Sequence, residues 1–209
     1  MIVAIDGPAG AGKSTAARLL AERLRFTYLD TGAMYRALTW LALERGLELD
    51  DEPALVALAA ASPVALVGCR VEIDGRDVTA EIRTARVEES VSAVSRLPGV
   101  RAAMRLRQRA LAESGDSVVE GRDIGTHVCP AAEVKIYLVA DPGERARRRG
   151  AERPDDDAAA LAEQLHRRDE RDAGQMLRAA DAVEIDTTAL TIDEVVERMA
   201  TLVRERSPA

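Results

Sequence analysis

Asparagine is absent from this chain, and lysine occurs only at positions 13 and 135, every other basic side chain being arginine. Without asparagine there can be no N-K-x-D guanine-reading motif, which counts against a GTP-driven switch. No apolar run approaches the length needed to span a membrane. There is also no basic, apolar leader ahead of the first strand-like segment, so a cytoplasmic location is expected. Cys69 and Cys129 stand alone, with neither metal-ligand spacing nor a C-x-x-C pair, and read as thiols in a reducing compartment. A surplus of positive charge is missing too. The net charge of −7 argues against a broad nucleic-acid surface, so any affinity for phosphate must come from a local arginine cluster.

Residues 7 to 15 read Gly7-Pro8-Ala9-Gly10-Ala11-Gly12-Lys13-Ser14-Thr15, the full G-x-x-x-x-G-K-[ST] phosphate-binding loop. It follows the apolar run Ile2-Val3-Ala4-Ile5 and precedes a helical pattern over Ala16 to Leu24, the strand–loop–helix context the motif requires. Glycines let the backbone N–H groups turn toward phosphate oxygens, and the new helix adds the positive end of its dipole. Lys13 is expected at the outer phosphates of a nucleoside triphosphate and the Ser14 hydroxyl at Mg²⁺. One of two lysines thus falls where a compact ammonium is wanted.

Elsewhere strand-like and helical patterns alternate, which predicts an α/β fold with a mainly parallel sheet. Strands are expected at 2–6, 27–29, 117–119, 134–139 and 183–186. Helices are expected at 13–25, 32–46, 53–61, 84–96, 99–114, 141–151, 157–172 and 191–205, the last opened by a Thr191/Glu194 capping box. Val71 to Val78 reads as a hairpin closed by Asp74-Gly75. The stretch 145–172 is dense in arginine and acids, a pattern that also suits a solvated, salt-bridged helix pair. His127 and His166 read as ordinary surface or boundary residues.

A phosphate loop can drive motion, switch a signal or transfer phosphate. Transfer needs an acceptor pocket, extra positive charge and exclusion of water. The second strand runs into Asp30-Thr31-Gly32-Ala33-Met34-Tyr35-Arg36, where Arg36 can fork onto an acceptor phosphate. The strand at 117–119 runs into Glu120-Gly121-Arg122-Asp123. Glu120 there has the position of an acid that orients water on Mg²⁺, and Arg122 adds a phosphate donor. The bland alternative for Asp30, Glu120 and Asp123 is helix capping or surface charge, since caps are common at such places.

With Pro98-Gly99-Val100-Arg101, Glu120 to Thr126 and Arg168-Asp169-Glu170-Arg171-Asp172, these motifs resemble, in order and over essentially the whole chain, bacterial cytidylate kinase, a nucleoside monophosphate kinase family with the P-loop NTPase fold. The resemblance implies a central five-stranded, mainly parallel sheet flanked by helices. A single domain would comprise a core (1–30, 101–144, 173–209), a monophosphate-binding insertion (31–100) holding the hairpin, and a short lid with its following helix (145–172). It implies ATP and CMP or dCMP as substrates, Mg²⁺ as cofactor, no nucleic-acid or membrane partner, and a monomer. Arg36, Arg122 and Arg168 resemble the clamps on the CMP phosphate. Thr31, Ser92, Arg101 and Asp123 resemble the readers of the cytosine edge, with Tyr35 beside Arg36 in the same substrate motif and Asp172 at the ribose. Arg145, Arg148 and Arg149 resemble the lid arginines that join Lys13 in catalysis. A carboxylate such as Asp123 accepts from the exocyclic amine of cytosine and repels the carbonyl that uracil has there.

The chain departs from the family in two places. Thr31 stands where serine is frequent, which keeps the hydroxyl. After Asp172 the segment is shortened to Ala173-Gly174-Gln175, and Gln175 falls where the family commonly has an arginine against the base, with Arg178 nearby. A small-molecule kinase for another acceptor, such as shikimate, and a nucleotide-dependent regulatory module are the competing readings.

Overall fold

The computed structural model describes residues 1–68, 70–152 and 157–206. Cys69, the charged residues Arg153, Asp155 and Asp156, and the tail Ser207-Pro208-Ala209 lie outside the described residues, as does the side chain of Gln175. The chain forms two compact units, residues 1–28 with 112–209 and residues 29–111.

The first unit is organised around β1 (Ile2–Asp6), whose residues beyond the first are all buried. Near-continuous apolar sequence is what a parallel strand covered on both faces requires. After the loop come α1 (Lys13–Leu24) and β2 (Thr27–Asp30), within which the chain leaves this unit. It returns for β6 (Ser117–Glu120), a five-residue π-helix (Ile124–Val128), β7 (Val134–Val139), α6 (Pro142–Glu152), α7 (Ala158–Asp172), β8 (Val183–Asp186) and α8 (Ile192–Arg206). The strand order is β2-β6-β1-β7-β8, with β1 parallel to both β6 and β7 and β7 parallel to β8. This is the five-stranded parallel sheet expected from the alternation. Val3, Ile5, Leu20, Val118, Ile136, Leu138 and Met199 meet in its core. At α8 the expected capping box forms: the Thr191 N–H donates to Glu194 Oε2 at 2.8 Å, and the Glu194 N–H donates to Thr191 Oγ1 at 3.3 Å.

The second unit contains α2 (Thr31–Glu44), α3 (Glu52–Ala61), a three-stranded antiparallel sheet of β3 (Val64–Val67), β4 (Arg70–Ile73) and β5 (Arg76–Asp77), then α4 (Ala85–Ser95) and α5 (Pro98–Ala112). Helix α2 is its centre. Ten of its fourteen residues are buried, as in a helix surrounded by other elements rather than lying on a surface. Asp30 caps it, accepting from the Ala33 N–H at 2.7 Å. Trp40, the chain's only tryptophan, is buried on α2 with the Arg76 guanidinium 4.9 Å above its ring, a cation–π contact. Residues 101–111, placed with the core in the sequence reading, pack here instead, with Met104 in the second unit's cluster and Leu111 against it.

The hairpin forms as expected, Ile73 opposite Arg76 across Asp74-Gly75. Both turn residues have positive φ, 52° and 71°, as a two-residue turn matched to strand twist demands. The third strand, β3, was missed: Val64-Ala65-Leu66-Val67 is too short and too evenly apolar to declare a period. The π-helix was missed as well, because what holds it is not local sequence.

Gly7 shows how tightly the loop is seated. Its φ is +145°, and a Cβ there would come within 2.1 Å of the Leu138 carbonyl oxygen. Gly75 has φ +71° with open space around it. Gly7→Ala should therefore cost about 3 kcal/mol or more, and Gly75→Ala about 1–2 kcal/mol. Urea unfolding of the two variants beside the parent measures the difference, and equal losses would contradict the close approach.

Candidate functional site

In the first unit the loop of Gly7 to Thr15 turns from the carboxyl end of β1 into the N-terminus of α1, where ligands bind in open parallel sheets. Gly12 takes the left-handed conformation, φ 86°, and Lys13 opens the helix. The Lys13 side chain folds back over the loop and donates to the Pro8 carbonyl at 2.8 Å. Burial first, and then the cations of Arg122 and Arg168, push its ammonium down to about 7 against the opposing pull of Glu120 and Asp6.

Ser14 Oγ donates to Glu120 Oε2 at 3.0 Å, bringing together the two residues expected at Mg²⁺. Glu120 is buried at the end of β6, and its other oxygen accepts from the Tyr28 hydroxyl. Among the described residues no group of three or more His, Cys, Asp or Glu side chains could form a cage for a metal. A hydroxyl and a carboxylate are nonetheless a donor set suited to Mg²⁺, which prefers oxygen, keeps several waters and is completed by substrate phosphates.

The arginines are held by loop carbonyls and by carboxylates. Arg122 donates from Nη1 to the Gly7 carbonyl at 2.7 Å and pairs through Nη2 with Asp172 Oδ2 at 3.1 Å. Arg168 Nε lies 3.7 Å from that same oxygen, so Asp172 gathers both guanidinium groups. Arg145 donates to the Ala9 carbonyl at 3.1 Å and pairs with Asp169 at 2.5 Å. Its Nε is buried with no partner among the described residues, a donor still available to an anion. Arg148 is the most tethered, bonded to Glu144 at 2.8 Å and to the Thr187 hydroxyl and carbonyl at 2.9 and 2.7 Å. Arg149 is half-buried on α6. Asp123 is buried beside the His127 ring, Nδ1 to Oδ2 being 3.2 Å.

In the second unit Thr31 is the first residue of α2, buried, with Tyr35 and Arg36 one turn on. Arg36 Nη2 pairs with Asp30 Oδ2 at 3.0 Å, while its Nε is buried without a partner among the described residues. Asp30 thus both caps the helix and orients the arginine. Ser92 on α4 and Arg101 on α5 are buried, and Arg101 donates to the Ser95 carbonyl at 3.1 Å.

Sequence reasoning missed the groups that hold these side chains, Tyr28, Glu144, Asp169 and Thr187, and Asp6, which holds the backbone after Asp123. Asp6 alone carried a signal, as an acid at a strand's carboxyl end directly before the first loop glycine. Its oxygens accept from Ile124 and Gly125 N–H groups, both at 2.8 Å. Burial pushes its carboxyl up to about 6, while those two bonds pull the other way. No described helix is long and apolar enough to cross a membrane.

Among solved structures the chain is similar to TT1252 from Thermus thermophilus, with TM-score 0.52 and 22% identity over 100% of this chain and 98% of that one. It is similar also to shikimate kinase from Acinetobacter baumannii, with TM-score 0.51 and 16% identity over 100% and 95%. At those identities the likeness is one of fold. Sequence relatives are much nearer. Cytidylate kinase of Geobacillus kaustophilus is 51% identical over 98% of this chain and 96% of its own length. Cytidylate kinase of Bacillus licheniformis is 48% identical over 99% and 97%. The family model for cytidylate kinase matches residues 3–205, a span that takes in the loop, both expected Mg²⁺ residues and every arginine described above, and the chain therefore belongs to the cytidylate kinase family.

Proposed function

We propose that the protein transfers the γ-phosphoryl group of ATP to CMP or dCMP, giving ADP and CDP or dCDP, as a cytoplasmic monomer. The observation that carries this reading is the buried Lys13 under its loop, with Ser14 and Glu120 already bonded beside it, in a chain of this family.

Gly7 to Thr15 hold the ATP phosphates through backbone N–H groups and the α1 dipole. Ser14, and Glu120 through water, would hold Mg²⁺, which when bound neutralises charge on the phosphates. An oxygen of the CMP phosphate attacks the γ-phosphorus, and the bond to the bridging β–γ oxygen breaks with its electron pair leaving on ADP. Little covalent work falls to the protein, and positioning with electrostatics carries the rate. Lys13 stabilises charge on the migrating group, with Arg122, Arg145, Arg148, Arg149 and Arg168. Arg36, Arg122 and Arg168 take the CMP phosphate. Thr31, Tyr35, Ser92, Arg101, Asp123 and Gln175 contact the nucleoside, and Asp172 the ribose. Residues 31–100 act as the monophosphate-binding region and 145–172 as the lid and its helix.

Phosphorylation rates with CMP, dCMP, UMP, AMP and shikimate under ATP and Mg²⁺ test the reading. A preference for anything other than the cytidine monophosphates overturns it. Lys13→Ala should lower kcat about 100- to 1,000-fold, the cost of losing one fixed donor at developing charge. Arg36→Ala should raise KM for CMP about 10- to 100-fold, the worth of a charge-assisted hydrogen bond, with KM for ATP little changed. Equal effects on both substrates would take Arg36 off the acceptor.

The depressed Lys13 pKa gives a separate prediction. ATP favours the charged ammonium, so binding must take up a proton above pH 7 and raise the pKa; affinity for ATP therefore falls as pH rises from 7 toward 10. Carbon-13 labelling of the lysine ε-carbons yields only two signals. One should titrate near 7 in the free protein and move upward with ATP, while Lys135, paired with Asp181, serves as the control. A pair of ordinary lysine titrations in the free protein would remove the prediction.

A further inference from the structure

We propose that Asp6 is a positioning residue for base recognition, holding residues 121–125 so that Arg122 and Asp123 are presented to the acceptor; this rests on the assignment of those two residues to the acceptor above. The segment after β6 is fastened to the end of β1 at two points. At the first, the Gly121 N–H donates to the Ile5 carbonyl at 3.0 Å, continuing the register that sets Ile5 opposite Glu120. At the second, Asp6 Oδ1 accepts from Ile124 and Oδ2 from Gly125. Only Arg122 and Asp123 lie between the two fastenings. Asp6 is thus the last residue of the same strand whose carbonyl holds the other end.

Three features agree with this. The two N–H groups that Asp6 takes open the π-helix, a conformation that recurs at functional sites and rarely arises from local preference. The Gly125 N–H, which an aspartate in the place of Asp123 would ordinarily accept as helix cap, goes to Asp6. Lastly, Gly125 is packed closely, since a Cβ there would stand 3.2 Å from Lys135 Cδ and 3.5 Å from Ala179 Cβ. Asp6 is 4% exposed. A carboxylate so buried is costly unless its oxygens are bonded, and here each oxygen receives one backbone N–H.

Asp6→Asn tests the role with almost no change in shape. The amide offers one acceptor, and its NH₂ confronts the other N–H donor. The expected result is a fall of about tenfold or more in the ratio of kcat/KM for CMP to that for UMP, with KM for CMP raised more than KM for ATP. Asp6→Ala, which removes the buried charge with its desolvation cost, should lower the same ratio. Equal losses with CMP and UMP would mean that Asp6 only supports the fold, and the proposal would be wrong. Amide hydrogen exchange of the unaltered protein needs no variant: Ile124 and Gly125 should be protected, and exchange at the rate of exposed loop amides overturns the clamp. An unaltered protein with no preference for CMP over UMP would instead remove the functional reading and leave the exchange result standing.

Discussion

Like charges crowded under a single loop are the constraint on which the first unit depends. Lys13, Arg122, Arg145 and Arg168 are all drawn toward the carboxyl ends of the parallel strands, and burial removes the water that would screen them. The structure offsets this repulsion with fixed oxygens. Loop carbonyls of Gly7, Pro8 and Ala9 each accept from one cation, and Asp169, Asp172 and Glu120 supply negative charge. The Lys13 pKa still sits far below its ordinary value, first because the ammonium is buried and then because Arg122 and Arg168 face it. A polyanion entering such a field meets donors already oriented, so little reorganisation is needed as charge moves.

Arginine geometry suits the crowding under the loop. A guanidinium can fork between a carbonyl and a carboxylate, and Arg122 and Arg145 each do so. An ammonium lacks a planar fork and acts as a point charge. Arg148 goes furthest from the freedom expected of a lid residue: Glu144 and Thr187 fix all three of its nitrogens. For Arg148 to reach a phosphate, the Thr187 bonds must first be exchanged.

How far the sequence could be read depends on how local each determinant is. The loop, the five sheet strands, the hairpin at Asp74-Gly75 and the capping box at Thr191 are written within a few neighbouring residues, and each forms where the pattern places it. β3 failed because four apolar residues carry no period. The π-helix failed because its fastening arrives from Asp6, over a hundred positions away in sequence. At the site, residue types with an evident chemistry were legible, as with Ser14 and Glu120, both expected at Mg²⁺ and bonded to each other, whereas the pairing of Arg122 with Asp172 was not. Nor were the supports: the Tyr28 hydroxyl, Asp169 and Thr187 belong to residue types too common to stand out before the fold brings them to Glu120, Arg145 and Arg148.

Trp40 gives the two units unequal visibility. It lies in the core of the second unit with Arg76 over its face, and the first unit contains no indole. Tryptophan emission during unfolding therefore reports the surroundings of α2, while circular dichroism sums the helices of both units. Superimposed curves from the two methods are the signature of one cooperative transition, whereas separated curves would assign the fluorescence step to the α2 unit and leave the sheet that carries the phosphate loop to be followed by other means.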